Sequence, residues 1–126
     1  MGSKHQALVK LILLKLGSRR DLRLWEAPVG LARTIDGART FRYGLVGCAD
    51  IIGIYKPGGR FVAIEAKVGD DVQRPSQHAF AGMLESFGGV YVIAYSPEEA
   101  EETLLARLNT HAPLTGPMAP HPTLPT

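Results

Sequence analysis

The stretch from Ala49 to Val68 constrains this chain more than any other. Ala49 to Tyr55 is rich in isoleucine, Pro57-Gly58-Gly59 is a strong turn, and Arg60 to Val68 is apolar and β-branched until its end. Two β-prone runs joined by so short a turn form a hairpin. With Lys56 to Gly59 as the loop, Tyr55 faces Arg60, and stepping back along both strands sets Asp50 directly opposite Glu65. Opposed side chains on one face have Cβ atoms about 4.5–5.5 Å apart, a spacing at which two carboxylates repel. A cation between them relieves that repulsion. Hard oxygen donors with open positions favour Mg²⁺ or Mn²⁺, which accept one or two carboxylates and keep sites for water and phosphate.

Strand side chains alternate faces, so Glu65 and Lys67 point the same way while Ile64 and Ala66 face the core. An ammonium beside two carboxylates can orient an attacking water and offset charge building on a phosphate, and its free-amine form can deprotonate that water. Gln77 follows in the first turn of the next helix, where it is placed to hydrogen-bond that water or a phosphate. The bland alternatives are a surface salt-bridge ladder for Asp50, Glu65 and Lys67, and a solvated first-turn residue for Gln77. Ile51, Ile52, Val62 and Ile64 make this an inner hairpin, where three charges need a purpose.

The rest of the chain supplies layers for that hairpin. Lys4 to Leu16 reads as a helix with Leu8, Leu11, Ile12 and Lys15 at helical spacing, and Val9, Leu13, Leu14 and Leu16 widen its apolar face enough to bury two sides. Met1 to Ser3 are set aside. Arg19 to Thr34 reads as one or two irregular strands broken at Pro28, Asp36-Gly37 as a turn, and Thr40 to Tyr43 as a short β-prone run. Pro75 opens a second helix with Phe80, Met83, Leu84 and Phe87 on its inner face, stopped by Gly88-Gly89. Val90 to Tyr95 is a buried strand, and Ser96-Pro97 with Glu99 starts a helix reaching about Leu108. One α/β (α+β) domain over residues 4–108 is expected, with a mixed central sheet, a core hairpin and about three flanking helices. Residues 109–126 hold five of the nine prolines and read as a disordered tail.

Composition excludes several classes. The single cysteine, Cys48, permits no intrachain disulfide and fits a reducing cytoplasm. Lys10 and Lys15 interrupt the Leu8 to Leu16 stretch, which is too short to span a bilayer and has no small-residue cleavage site after it. The four histidines lack zinc-ligand spacing, and Cys48 lacks the partners of a nucleophile and reads as a small buried hydrophobe. Charge is asymmetric: residues 1–74 carry 13 Lys and Arg against 7 Asp and Glu, a net of +6, while the remainder nets −4. A basic half suits a polyanion, and Arg33, Arg39, Arg42, Lys56, Arg60 and Arg74 flank the candidate site in sequence as phosphate-holding residues, although each alone is an ordinary solubilising charge.

The order of an aspartate, a hairpin, Glu-x-Lys and a glutamine-bearing helix resembles the PD-(D/E)XK nucleases, and among them the stand-alone VRR-NUC domain. The matching residues are Tyr43 to Gly53 around Asp50, Gly59 to Lys67, Gln77 with Phe80, and Gly88-Gly89, within a resemblance spanning Lys4 to Leu108. It implies a restriction-endonuclease-like fold, with Asp50, Glu65 and the Ala66 carbonyl as ligands of Mg²⁺ or Mn²⁺ and with Lys67 and Gln77 completing the catalytic site. It also implies hydrolysis of DNA phosphodiesters, selective for branched structures as in Holliday-junction resolvases, and a homodimer. The chain departs from the pattern in three places: Ala49 stands where the family has proline, Glu26 to Gly30 replaces a polar, amide-rich stretch, and His5 or Gln6 stands where relatives often carry a glutamate. The competing expectations are a nucleic-acid-binding module that kept the fold without turnover, and a protein whose hairpin is merely structural.

Overall fold

A computed structural model describes residues 3–110. The first helix, α1 (Lys4–Leu16), matches the expected bounds, and its cap is Ser3, whose hydroxyl accepts from the Gln6 N–H at 3.1 Å. Ser3 is therefore part of the fold, as a serine ahead of a helix ought to be. The helix buries one face, Leu8, Val9, Ile12 and Leu16, where two were expected. Leu11 and Leu14 stay exposed, because the i, i+4, i+8 row through Leu8, Ile12 and Leu16 already fills the contact with the sheet.

Four strands form the central sheet: β1 (Leu22–Glu26), then β4 (Ile51–Tyr55), β5 (Arg60–Ala66) and β6 (Val90–Ala94) in that spatial order. β1, β4 and β5 pair antiparallel and β6 lies parallel to β5, so the sheet is mixed. A parallel neighbour requires a crossover, and the helix α2 (Pro75–Ser86) provides it. Helix α3 (Pro97–Thr110) follows β6 through half of the expected capping box: the Glu99 N–H donates to Ser96 Oγ at 3.0 Å, while Glu99 Oε1 accepts from the Tyr95 N–H at 3.0 Å, one residue ahead of the cap. It extends two residues past the expected end, taking Asn109 and Thr110 from the proline-rich segment; residues 111–126 lie outside the described residues.

Both sheet faces are covered, which explains why the inner strands read as continuous apolar runs rather than alternating ones. On one face Ile51, Val62, Ile64, Val90 and Val92 pack with Ile12 and Leu16 of α1 and Ala100 and Leu104 of α3. On the other, Ala49, Ala63 and Tyr91 pack with Phe80, Ala81 and Leu84 of α2. The buried row of α2 is Gln77, Phe80, Ala81 and Leu84. Met83 and Phe87, expected on that face, are exposed; the row is turned toward Gln77, a polar residue that a search for apolar spacing passes over.

Two further strands, β2 (Gly30–Arg33) and β3 (Thr40–Tyr43), pair only with each other. They form a separate antiparallel ribbon.

Candidate functional site

The site begins at the open end of the β4–β5 hairpin. The ladder pairs Tyr55 with Arg60 and continues to Ile51 with Ile64, the register set by the turn, so the next pair out is Asp50 and Glu65. Asp50 precedes β4 and is fixed at both its backbone and its side chain. Its carbonyl accepts from the Ala27 N–H at 2.9 Å, and its Oδ2 accepts from the Ala66 N–H at 2.8 Å. Parity along β5 places Glu65 and Lys67 on the α2 side, opposite the Ile64 and Ala66 side chains, as alternation requires.

Glu65, Lys67 and Gln77 are 3%, 5% and 4% exposed, which removes the surface-ladder reading and the solvated-glutamine reading together. Gln77 ties the three into one network. Its Nε2 donates to Glu65 Oε1 at 2.9 Å, and its Oε1 accepts from Lys67 Nζ at 2.8 Å and from the Arg74 N–H at 2.9 Å. Lys67 Nζ itself stands 3.9 Å from Glu65 Oε1. The amide is thus committed to its neighbours and is a positioning group, rather than one held out to water or phosphate. Gly47 is what lets the chain before Asp50 run against the start of α2: its φ is +81°, and a Cβ there would collide with the Ser76 carbonyl.

Burial in the first place, and then the negative Asp50 beside it, push the Glu65 carboxyl up to about 8, against a smaller opposing pull from Lys67. Its second oxygen, Oε2, is buried without a hydrogen-bond partner. An unpartnered carboxylate oxygen at such a place costs about 1–3 kcal/mol, more if charged, and a cation removes that cost. The donor set fits one. His5, Asp50 and Glu65 each offer a ligand atom, all within 4.8 Å of one another, and His5 Nε2 already lies 3.0 Å from Asp50 Oδ2. Of the two first-helix residues considered for that place, His5 reaches the site and Gln6 is exposed. Ala66 lines the same cleft as His5, Asp50, Glu65 and Lys67. Burial raises the Cys48 thiol, with Glu65 adding to the shift, which keeps it protonated and unsuited to nucleophilic attack.

Two open clefts meet at the carboxylates. One, of about 260 Å³, reaches from Asp50, Glu65 and Gln77 to Leu31, Arg42 and Arg74; the other, of about 490 Å³, holds His5, Lys67 and the Asp70 to Val72 loop. Of the six basic residues considered, only Arg42 and Arg74 line these clefts. Arg33 and Arg39 lie farther out on the β2–β3 ribbon. Lys56 and Arg60 sit at the turn end of the hairpin, Arg60 five residues from Glu65 and Lys56 six from Asp50, and so roughly 16–20 Å away along the strands. Arg60 Nε there donates to the Gly88 carbonyl at 3.0 Å. Closeness to the hairpin in sequence misplaces these two, because a strand carries its ends apart.

No protein-family model matches the chain, and no curated protein is similar to it at a significant level. Among the described residues no helix is long and apolar enough to cross a membrane.

Proposed function

We propose that the chain is a divalent-metal-dependent endonuclease that hydrolyses DNA phosphodiesters, with branched DNA as its substrate class. The observation that carries this reading is the buried Glu65 carboxylate, with one oxygen unpartnered, facing Asp50 and His5 while an amine lies 3.9 Å from its other oxygen. Asp50 and Glu65 would hold Mg²⁺ or Mn²⁺, with His5 as a third donor. Such a cation supplies charge neutralisation at the phosphate and a lower pKa for the attacking water. Lys67, as the ammonium, would orient that water and offset charge on the phosphate, and the water's proton would pass to solvent. The water oxygen forms a new bond to phosphorus, one ester P–O bond breaks, and the released oxygen takes a proton from solvent. Gln77 holds Glu65 and Lys67 in register throughout.

A homodimer goes with branched DNA, since a four-way junction needs two symmetric cuts, and exposed Leu11 and Leu14 on α1 offer an apolar surface for it. The test is a panel of labelled duplex, flap and four-way DNA incubated with Mg²⁺, with Mn²⁺ and with EDTA. Wild-type protein is expected to cut in a metal-dependent way, and Asp50→Asn and Lys67→Ala to reduce cutting at least about 10²-fold. Intact binding with no product on any substrate would leave the nucleic-acid-binding module in its place.

A further inference from the structure

The β2–β3 ribbon has no part in the core and is hydrogen-bonded as a sheet of its own. All four residues of β3 are exposed, as are Leu31 and Arg33 of β2. Its tip is nonetheless well ordered by hydrogen bonds. The Thr34 N–H donates to the Arg39 carbonyl at 2.9 Å, the Arg39 N–H donates to Thr34 Oγ1 at 3.1 Å, and Asp36 Oδ1 accepts from the Thr34 hydroxyl at 2.6 Å and the Ala38 N–H at 2.9 Å. An arm this well made that adds no residue to either buried cluster has its exposed side chains free for a partner.

Register sorts the ribbon into two unlike faces. Leu31 pairs with Arg42 and Arg33 with Thr40 on one, while Gly30 pairs with Tyr43 and Ala32 with Phe41 on the other. The first face therefore carries two guanidiniums, and neither makes an ion pair among the described residues. The one acid of the segment, Asp36, is occupied within the tip. Leu31 and Arg42 line the cleft that holds Asp50 and Glu65, as do Gly30 and Tyr43 of the other face, so the base of the ribbon adjoins the carboxylates.

We propose that the β2–β3 ribbon is a DNA-gripping arm whose Arg33 and Arg42 face enters the major groove of a duplex and sets the adjoining backbone across Asp50 and Glu65. The nature of the polyanion rests on the nuclease reading; the placement of the arm does not. Two strands about 4.8 Å apart, with their side chains, fit a major groove about 12 Å wide and exceed a minor groove of about 6 Å. A second copy of this chain is a poorer occupant of the same face, because two-fold pairing of identical ribbons would set arginines against arginines.

The experiment is binding by fluorescence anisotropy in EDTA, so that no cutting enters, with a labelled 20-base-pair duplex and the matching single strand across a salt series. Wild-type protein is expected to prefer the duplex. The Arg33→Ala, Arg42→Ala double variant should bind it about 10-fold or more weakly and flatten the slope of log affinity against log salt by about 2, one for each lost phosphate contact. Lys10→Ala, Lys15→Ala removes the same charge from α1, at one exposed and one half-buried position, and should change affinity less than about 2-fold, because those lysines lie off the arm. Unchanged melting of the ribbon variant confirms that its loss is local. Equal losses in both double variants, no loss in the ribbon variant, no duplex binding by wild type, or a preference for single strands would each overturn the proposal. Protein that cuts with metal while the ribbon variant binds normally removes the arm and keeps the nuclease; ribbon-dependent binding without any cutting does the reverse.

Discussion

Gln77 Nε2 donates to Glu65 Oε1 across 2.9 Å, and the same amide takes Lys67 Nζ on its oxygen at 2.8 Å. A single neutral side chain on the first turn of α2 thus sits between an acid near the end of β5 and an amine just past it. Direct contact would spend the amine on neutralising the acid; the amide instead spaces the charges 3.9 Å apart and leaves Glu65 Oε2 open toward Asp50. Helix, crossover and strand are bound into one unit by a group with no charge of its own.

Gln77→Leu keeps the volume and deletes the amide. Lys67 Nζ and Glu65 Oε1 then lose their buried partner, and the expected loss is about 2–3 kcal/mol of stability, read as a lower urea midpoint at unchanged slope. Cutting should fall by about 10²-fold even at saturating metal, because the ligand and the amine are no longer held in register. A variant as stable and as active as wild type would remove the positioning role.

Glu65 gives a pH signature. Its folded pKa of about 8 lies above the ordinary value of 4.5, so the folded protein holds a proton that the unfolded chain releases more readily. Stability gained from that proton is complete below about pH 4.5 and disappears as pH climbs through about 8. In EDTA the melting temperature should therefore drop between those values by about 5 °C or more, and saturating Mn²⁺ should reverse the fall by favouring the ionised carboxylate. Glu65→Gln should flatten the metal-free profile, melt higher than wild type at pH 8 by about 1–2 kcal/mol of added stability, and show no response to Mn²⁺. A metal-free wild type that gains stability over this range would contradict the burial assigned to Glu65.

How much of this was legible depends on where the information resides. Pro57-Gly58-Gly59 fixes its own turn, so the pairing of Tyr55 with Arg60 could be counted from the sequence, and Asp50 opposite Glu65 followed from it. The bounds of α1 were equally local. Faces were harder. Which row of α1 is buried depends on what the sheet offers, and the inner row of α2 begins at Gln77, whose polarity hides it from any apolar count. His5 and Gln6 were indistinguishable until the helix rotation put one against Asp50. The turn at Asp36-Gly37 was visible, but nothing in two exposed four-residue runs announced that they pair only with each other, because a ribbon without a core leaves no hydrophobic alternation.

Gly47 tests the seam between the loop before Asp50 and the start of α2. Gly47→Ala adds a methyl group at φ +81° and against the Ser76 carbonyl, so strain and clash act together. A loss of about 1–3 kcal/mol is expected in urea melts. Gly58→Ala serves as the control: its φ of +90° is similar, but an added Cβ meets nothing within 4 Å, so only the backbone cost of about 1 kcal/mol should remain. Equal losses at the two positions would show that close packing at Gly47 contributes nothing.

His5 decides which metal the site takes. Two carboxylates alone are a hard oxygen set suited to Mg²⁺, whereas an imidazole draws the preference toward transition ions, for which nitrogen is a better ligand. With His5 Nε2 3.0 Å from Asp50 Oδ2 and inside the same 4.8 Å group as Glu65, Mn²⁺ should bind at least about 10-fold more tightly than Mg²⁺ by calorimetry. His5→Ala should erase most of that difference by weakening Mn²⁺, and His5→Glu should restore affinity while shifting the preference back toward Mg²⁺. Because His5 is half-buried at the first turn of α1 and outside the core, neither change should lower the metal-free melting temperature by more than a few degrees. Manganese binding that survives His5→Ala unchanged would confine the ligands to Asp50 and Glu65 and leave His5 only its hydrogen bond to the aspartate.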